Sequence, residues 1–407
     1  MKYYLIGIKG SGMSALAKIL INMKYEVVGS DASNHYYTED GLDNVIINDF
    51  DIKHLSNDYV YIIGNAFIDS KIVQYIKKKD YEYYTYPKFL VKLFKNHKLL
   101  CVSGTHGKTT TSKMLATMIE DCAYLIGDGS GKNGKDYFVL EACEYKDTFL
   151  NYYPDIAIIT NIDYDHPDYF KTKKSYYDSF VSFSKQAKLV ILNGDSANIN
   201  GDNIITYGMK DDNDIIFSIN YLENSMDIEV LDEIINIPLI GEHFAYDFVG
   251  AFIAARLLEI PVSEIKEKIS DFSLPKRRME KIKCDYDIYL DYAHHPNEIE
   301  CVYKTIKLNN NKKLICIFQP HTISRTKSFL ENFKKSLNLF DKVYLLPIFT
   351  SIREKIDKKM EDELYKTLNF ERIDSLDHIK FEPQNSYIFL GAGDIDERLI
   401  KRINKIN

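Results

Sequence analysis

The stretch Lys98-Leu-Leu-Cys-Val-Ser-Gly-Thr-His-Gly-Lys-Thr-Thr-Thr-Ser112 passes from an apolar strand pattern, through a glycine-bounded loop, into a helix pattern. A turn of this kind points backbone N–H groups at phosphate oxygens and adds the positive end of the helix. It also supplies Lys108 for charge and the Thr109 hydroxyl for a magnesium ion. ATP is the ligand this chemistry calls for, held by Gly104, Thr105, His106, Gly107, Lys108, Thr109 and Thr110. The loop Gly104-x-x-Gly107-Lys108-Thr109 is two residues shorter than the common phosphate-loop pattern, so the strand before it and the helix after it carry part of the reading.

Phosphoryl transfer also requires metal-bridged phosphates and cations for the developing charge. Glu141 closes the apolar run Tyr137–Leu140, and Asn161, Asp163, Asp165 and His166 follow the apolar run that starts at Ile156. Thr109 and Glu141 are read as ligands of one Mg²⁺ and His166 as a ligand of a second, with Mn²⁺ an acceptable substitute. Two further blocks, Asp291-Tyr-Ala-His-His-Pro296 and Phe318-Gln-Pro-His-Thr-Ile-Ser-Arg-Thr326, each follow a strand pattern and suit capture of a carboxylate and handling of an amine. A zinc reading of His294 and His295 lacks a third ligand at metal spacing. Near the start, Gly10-x-Gly12-x-x-Ala15, with Asp31 after the next strand, fits a dinucleotide or nucleotide-diphosphate site; it also fits glycines that merely let a helix pack on a strand.

These residues need strand ends and helix starts to hold them. Short β-rich runs (Tyr3 to Ile8, Tyr25 to Gly29, Tyr59 to Ile63) alternate with helix patterns at Ser14 to Met23 and Lys71 to Lys79, which predicts a parallel α/β sheet over residues 1–96. A second α/β unit is expected over 97–275, with Asp211 to Asn236 as a β-meander or insertion. A third, over 276–407, has strands at Ile288 to Tyr292, Lys313 to Phe318, Lys342 to Leu346 and Ser386 to Gly391. The fold class is α/β, with three consecutive domains: a Rossmann-like first, a phosphate-loop ATPase-like second and a Rossmann-like third. In open parallel sheets ligands sit beyond the carboxyl ends of the strands, so Glu141 and the cluster ending in His166 are expected beside the phosphate loop.

With 407 residues, 45% hydrophobic and 27% charged, the chain has the composition of a soluble globular protein, and no apolar run approaches a membrane span. A net charge of −7 without long basic blocks argues against nucleic acid as the main partner. Met1-Lys2 leads straight into a strand pattern, so a cytoplasmic location is expected. Of 52 basic residues only eight are arginine, and Arg277, Arg278, Arg325 and Arg353 fall in two short stretches where planar, two-pronged donors would matter; chance clustering is the alternative.

Taken together, the motifs resemble the Mur ligases, ATP-dependent amino-acid ligases of peptidoglycan precursor synthesis, and in particular their alanine-adding branch. The blocks that carry the resemblance are Gly7 to Ser14, Gly104 to Thr110, Glu141-Ala-Cys-Glu-Tyr145, Thr160-Asn-Ile-Asp-Tyr-Asp-His166, Arg277-Arg-Met-Glu280, Asp291 to Pro296, Phe318-Gln-Pro-His321 and Gly391-Ala-Gly-Asp-Ile395, in order over nearly the whole chain. The resemblance implies that the first domain holds UDP-N-acetylmuramate, the second binds ATP, and the third brings L-alanine, with the sugar's lactyl carboxylate activated as an acyl phosphate. It implies that Gly10, Ser11, Gly12, Asp31 and Asn65 serve the UDP-sugar and that His243, Arg278 and Asp291 contact ATP. Tyr292, His294, His321 and Arg325 would form the amino-acid site, and Lys108, His166, Arg278 and His294 the catalytic set. A monomer or homodimer is expected.

Some positions depart from the family pattern. Its adenine-side block Gly-x-His-Asn-x-x-Asn reads here Gly241-Glu-His-Phe-Ala-Tyr-Asp247, without either asparagine. A lysine about fifteen residues beyond His166, found in relatives that add later residues, is missing around Val181, which fits the alanine-adding branch. Thr322 stands where some relatives have arginine, so carboxylate recognition would fall on Arg325. The alternatives are a ligase that attaches a preformed tripeptide in cell-wall recycling, a folate glutamate ligase, a nicotinamide-dependent dehydrogenase and a catalytically silent binding subunit.

Overall fold

Apolar strands separated by amphipathic helices bury both faces only in a mainly parallel sheet, and the chain builds three such sheets in series. The computed structural model describes residues 1–32, 37–350 and 358–405, so Arg353 lies outside the described residues. The first sheet has five parallel strands in the order Ile46–Ile47, Glu26–Ser30, Lys2–Ile6, Tyr59–Ile63, Tyr83–Thr85. Its first strand ends two residues before the expected Ile8 because Gly7 turns to φ +84° and donates its amide to the Ser30 carbonyl. The following helix, Ser11–Asn22, starts earlier than Ser14 for the same reason.

The middle sheet has ten strands. Its parallel centre runs Leu189–Asn193, Ile156–Ile159, Lys98–Ser103, Tyr137–Glu141. The expected meander is a real antiparallel extension, Ile215–Tyr221, Met226–Val230 and Glu233–Ile237, carried on one edge. Register sets the chemistry: Ile159 pairs with Ser103 and Val102 with Glu141, so the polar residues that follow these strands emerge at one edge. The third sheet runs Glu280–Lys281, Asp287–Asp291, Asn385–Leu390, Lys313–Phe318, Lys342–Leu345, Glu371–Arg372, with Asp291 and Phe318 both paired to Leu390. The ends of these strands lead into Tyr292, Gln319 and Gly391.

One apolar core spans the first unit and one face of the middle sheet, where Phe94 stacks on Phe138 with ring centroids 3.7 Å apart. The other face of the middle sheet is covered by the helices Lys108–Met118 and Glu242–Leu257, the latter through Phe244, Phe248 and Phe252. Two smaller cores sandwich the last sheet. Among the described residues no helix is long and apolar enough to cross a membrane.

Candidate active site between the middle and last units

The phosphate loop is shaped by two glycines that no other residue could replace without strain. Gly104 sits at φ +139° and Gly107 at φ +79°; a Cβ would lie 2.1 Å from Thr160 Oγ1 at the first and 2.2 Å from Asp247 Oδ1 at the second. Asn161 clamps the loop from the neighbouring strand end: its Oδ1 accepts the His106 amide at 2.9 Å and its Nδ2 donates to the His106 carbonyl at 3.0 Å. Thr105, expected at ATP, donates its hydroxyl to the Asp163 carbonyl at 2.7 Å and accepts the Asp163 amide at 2.8 Å. The helix that starts at Lys108 has no side-chain cap, so its first amides are available to an anion. Thr109 and Thr110 lie in that first turn, both buried.

Lys108 folds back over its own loop, donating from Nζ to the carbonyls of Gly104 at 2.5 Å and Thr105 at 2.9 Å, and stands 3.1 Å from Glu144. Glu144, fully buried, also meets His166 Nε2 at 3.3 Å. Burial alone would raise its carboxyl, but Lys108 and His166 hold it down at about 2. Lys108 in turn is raised by Glu144 in spite of its burial. In the sequence Glu144 stands only as a member of the Glu141-Ala-Cys-Glu-Tyr145 block, with no role assigned by its spacing. The signal available was an acid three residues past Glu141; its direction depends on a kinked segment in which Lys146 and Asp147 take positive φ.

The expected metal set divides accordingly. Glu141 accepts the Gly127 amide at 2.6 Å, while His166 pairs with Glu144 and, at 3.8 Å, with Asp165. No group of three or more His, Cys, Asp or Glu among the described residues forms a cage that could hold a metal ion alone. That fits magnesium, which keeps waters and phosphate oxygens and takes only one or two protein carboxylates. Burial raises the Glu141 carboxyl, with Lys108, the Gly127 amide, Thr109 and Arg278 pulling against it, so a divalent cation there would gain a desolvated carboxylate.

The last unit closes over this loop. Glu298, in the first turn of the helix Pro296–Asn309, accepts the amides of His294 at 2.9 Å and His295 at 3.1 Å, and meets His106 Nδ1 at 3.2 Å. Glu298, Asp163 and Asp165 raise the His106 pKa although burial pushes it down. Asn297 donates to Asp163 at 3.1 Å, a second bridge between the units. His294 presents Nδ1 to the Tyr292 carbonyl at 3.0 Å; as a carbonyl only accepts, Nε2 is the unprotonated nitrogen. Burial holds this imidazole neutral, its pKa down at about 3. A cavity of about 320 Å³ lies among His166, Tyr292, His294, His321, Arg325 and Ala392, at the small end of ligand pockets.

The paired arginines divide their work. Arg277 is buried and donates to the carbonyls of Gly391 at 2.7 Å and Gly393 at 3.0 Å, an anchor of the chain fold. Arg278 makes no ion pair or side-chain hydrogen bond among the described residues; its guanidinium stacks on Tyr292 at 5.3 Å in the field of Asp291, Glu298 and Glu141. Asp291, expected at ATP, accepts the amides of Met279 at 2.8 Å and Ala293 at 2.7 Å and so fixes the Arg278 segment. Arg325, expected as a carboxylate receptor, gives Nε and Nη2 to Asp165, each at 3.0 Å. His243 starts the helix Glu242–Leu257 with its ring 3.9 Å from Phe244, and burial with Arg278 nearby lowers its pKa to about 4.

In the first unit Gly10 and Ser11 are exposed at a helix start that has no side-chain cap, and a Cβ on Gly12 would lie 2.6 Å from the Tyr86 hydroxyl. Asp31 accepts the amides of Lys9 and Ala32, each at 2.8 Å, which shapes the loop. Asn65 donates to Thr148 of the middle unit at 3.0 Å.

Comparison with known proteins agrees with this geometry. Three family descriptions match in order: "Mur ligase family, catalytic domain" over residues 2–98, "Mur ligase middle domain" over 102–255 and "Mur ligase, glutamate ligase domain" over 277–383. The chain is 36% identical to a UDP-N-acetylmuramate–L-alanine ligase of Ligilactobacillus salivarius over 97% of its own length and 95% of that protein. Among solved structures it resembles the UDP-N-acetylmuramate-alanine ligase MurC of Thermotoga maritima, with a TM-score of 0.83 at 21% identity over the whole of both chains. It also resembles a murein peptide ligase of Psychrobacter arcticus, with a TM-score of 0.72 at 20% identity over 100% of this chain and 99% of that one. The chain belongs to the Mur ligase family.

Proposed function

We propose that this chain is an ATP-dependent ligase that joins L-alanine to the lactyl carboxylate of UDP-N-acetylmuramate, releasing ADP and phosphate, in the cytoplasmic synthesis of peptidoglycan precursors. The observation that carries it is the meeting, in one cleft, of a lysine-bearing phosphate loop with a neutral histidine and two guanidiniums from the last unit. On this reading residues 1–96 receive the UDP-sugar, 97–275 hold ATP and 276–407 bring the amino acid. The curated relative named above, matched over almost all of its length, acts on the same pair of substrates by name.

A carboxylate resists nucleophiles, so activation comes first. A lactyl oxygen attacks the γ-phosphorus and ADP leaves with the electrons of the broken P–O bond. The amine of alanine then attacks the acyl carbon, and phosphate departs as the amide forms. Lys108, released from the loop carbonyls, and Arg278 are placed to stabilise charge on the transferring group. His294 Nε2 is placed to take the proton the amine loses. Burial makes it a weak base in the free protein, and the negative charge of bound phosphates favours its cation and raises its basicity. Glu141 with Thr109 would hold one magnesium ion and His166, on the Glu144 side of Lys108, a second, and these ions would supply neutralisation of phosphate charge.

Phosphate release from Mg-ATP tests the assignment. Release is expected only when UDP-N-acetylmuramate and L-alanine are both present. Release with a preformed tripeptide and not with alanine would move the chain to the recycling reaction.

A further inference from the structure

The Asp165–Arg325 pair joins the middle unit to the last. Arg325, on the short helix Ile323–Ser328, gives Nε to Asp165 Oδ1 and Nη2 to Oδ2, each at 3.0 Å, with the two side chains only 7% and 6% exposed. The carboxylate is itself held in place, since Oδ1 also accepts the His166 amide at 2.6 Å. A guanidinium has five N–H groups. Two are engaged by Asp165, and Nη1 faces His321 Nδ1 at 3.1 Å. One N–H on each terminal nitrogen remains, at the wall of the cavity shared with His166, Tyr292 and His294.

An unsupported arginine loses rotamer freedom when it grips a ligand, whereas one fixed side-on by a buried carboxylate is already ordered. The pair is also neutral as a unit, and so is the zwitterion of an amino acid. Resting on the ligase reading above, we propose that Asp165 is a positioning residue for the amino-acid carboxylate: it presents the terminal nitrogens of Arg325 to the cavity, and because it comes from the opposite unit, carboxylate recognition is complete only when the two units are closed.

The test is kinetic, with Asp165→Asn in the full chain and phosphate release followed while each substrate is varied in turn. The Michaelis constant for L-alanine should rise by about tenfold or more while those for ATP and the UDP-sugar stay within about twofold. The preference for alanine over alaninamide should collapse, and Asp165→Glu should restore part of both. If Asp165→Asn does not fold, Asp165→Glu carries the same comparison against wild type. An unchanged constant for alanine, or a parallel rise for all three substrates, overturns the proposal; so does a fall for alanine, which would mean that Asp165 competes with the substrate for Arg325. Small-angle scattering of the free proteins reads the latch without turnover: the variant should have the larger radius of gyration, and equal radii overturn the proposal. A wild-type protein without alanine-dependent phosphate release would refute the ligase reading, and the scattering result would still decide the role of Asp165.

Discussion

Lys108 and Glu144 form a buried ion pair, 3.1 Å apart, at the base of the phosphate loop. The acid keeps the lysine charged in a desolvated place, and the ammonium lies on its own loop carbonyls. Lys108→Ala should therefore do two separable things. Turnover should fall by about a thousandfold or more, as a transition-state cation is lost. Stability should fall by about 3 kcal/mol, because Glu144 is left buried without its lysine, with only His166 and the Tyr176 hydroxyl beside it. Adding Glu144→Gln should recover most of the stability and none of the turnover, measured by urea denaturation and phosphate release. A double variant as unstable as the single one would mean that the pair is not the source of the loss.

Gly107→Ala tests the shape of the same loop. The residue sits at φ +79°, and the added methyl would meet the Asp247 carboxylate at 2.2 Å. Backbone strain of about 1–3 kcal/mol adds to the clash. Calorimetry should show magnesium-dependent ATP binding weakened by at least about tenfold. Placing Gly107→Ala in an Asp247→Ala background should return part of the affinity by removing the clash while leaving the strain.

Asp247 is the departure from the family pattern with the clearest energetic consequence. Burial raises its carboxyl to about 7, against the pull of Thr111, Arg278 and His106. An acid raised in the folded state binds its proton more tightly there than in the unfolded chain, so its favourable contribution is complete below the ordinary value near 3.8 and is lost as pH rises through about 7. Asp247→Asn should thus stabilise the protein at pH 8 by roughly 2–4 kcal/mol and leave it unchanged near pH 4. Urea midpoints at the two values measure this, and equal shifts at both would exclude titration of Asp247 as the cause.

Much of this cleft was legible from strand ends alone. The rule that ligands lie beyond the carboxyl edge of a parallel sheet brought Lys108, Glu141 and His166 to one place, and the register of Val102 with Glu141 and Ile159 with Ser103 realises it. What stayed hidden were contacts between acids and partners far along the chain. Glu298 stands three residues after His295, a spacing that reads as a helix cap, and it is one; its contact with His106, 192 residues away, depends on how the last unit docks. Arg325 could be read as a carboxylate receptor from its type, but the carboxylate it already holds belongs to another unit. Asp31 and Asp291, expected at the UDP-sugar and at ATP, also accept backbone amides, a role that their type and spacing do not show.

The acid limb of stability offers a test that isolates one side chain. Burial lowers His295 to about 4, with His106 adding to the effect. A histidine depressed in the folded state contributes stability that is complete above its unfolded value near 6.5 and is lost as pH falls through about 4. His295 caps the helix Pro296–Asn309 by accepting the Asn297 amide at 3.3 Å, and asparagine caps helices at least as well without titrating. The stability difference between wild type and His295→Asn should therefore be flat above pH 7 and shift in favour of the variant by about 1.4 kcal/mol per pH unit between roughly 6 and 4. Taking the difference cancels the opposing titration of Asp247, which both proteins share. Chemical denaturation at half-unit steps of pH reads the slope, and a difference independent of pH would show that His295 carries its proton in the folded protein as readily as in the unfolded chain.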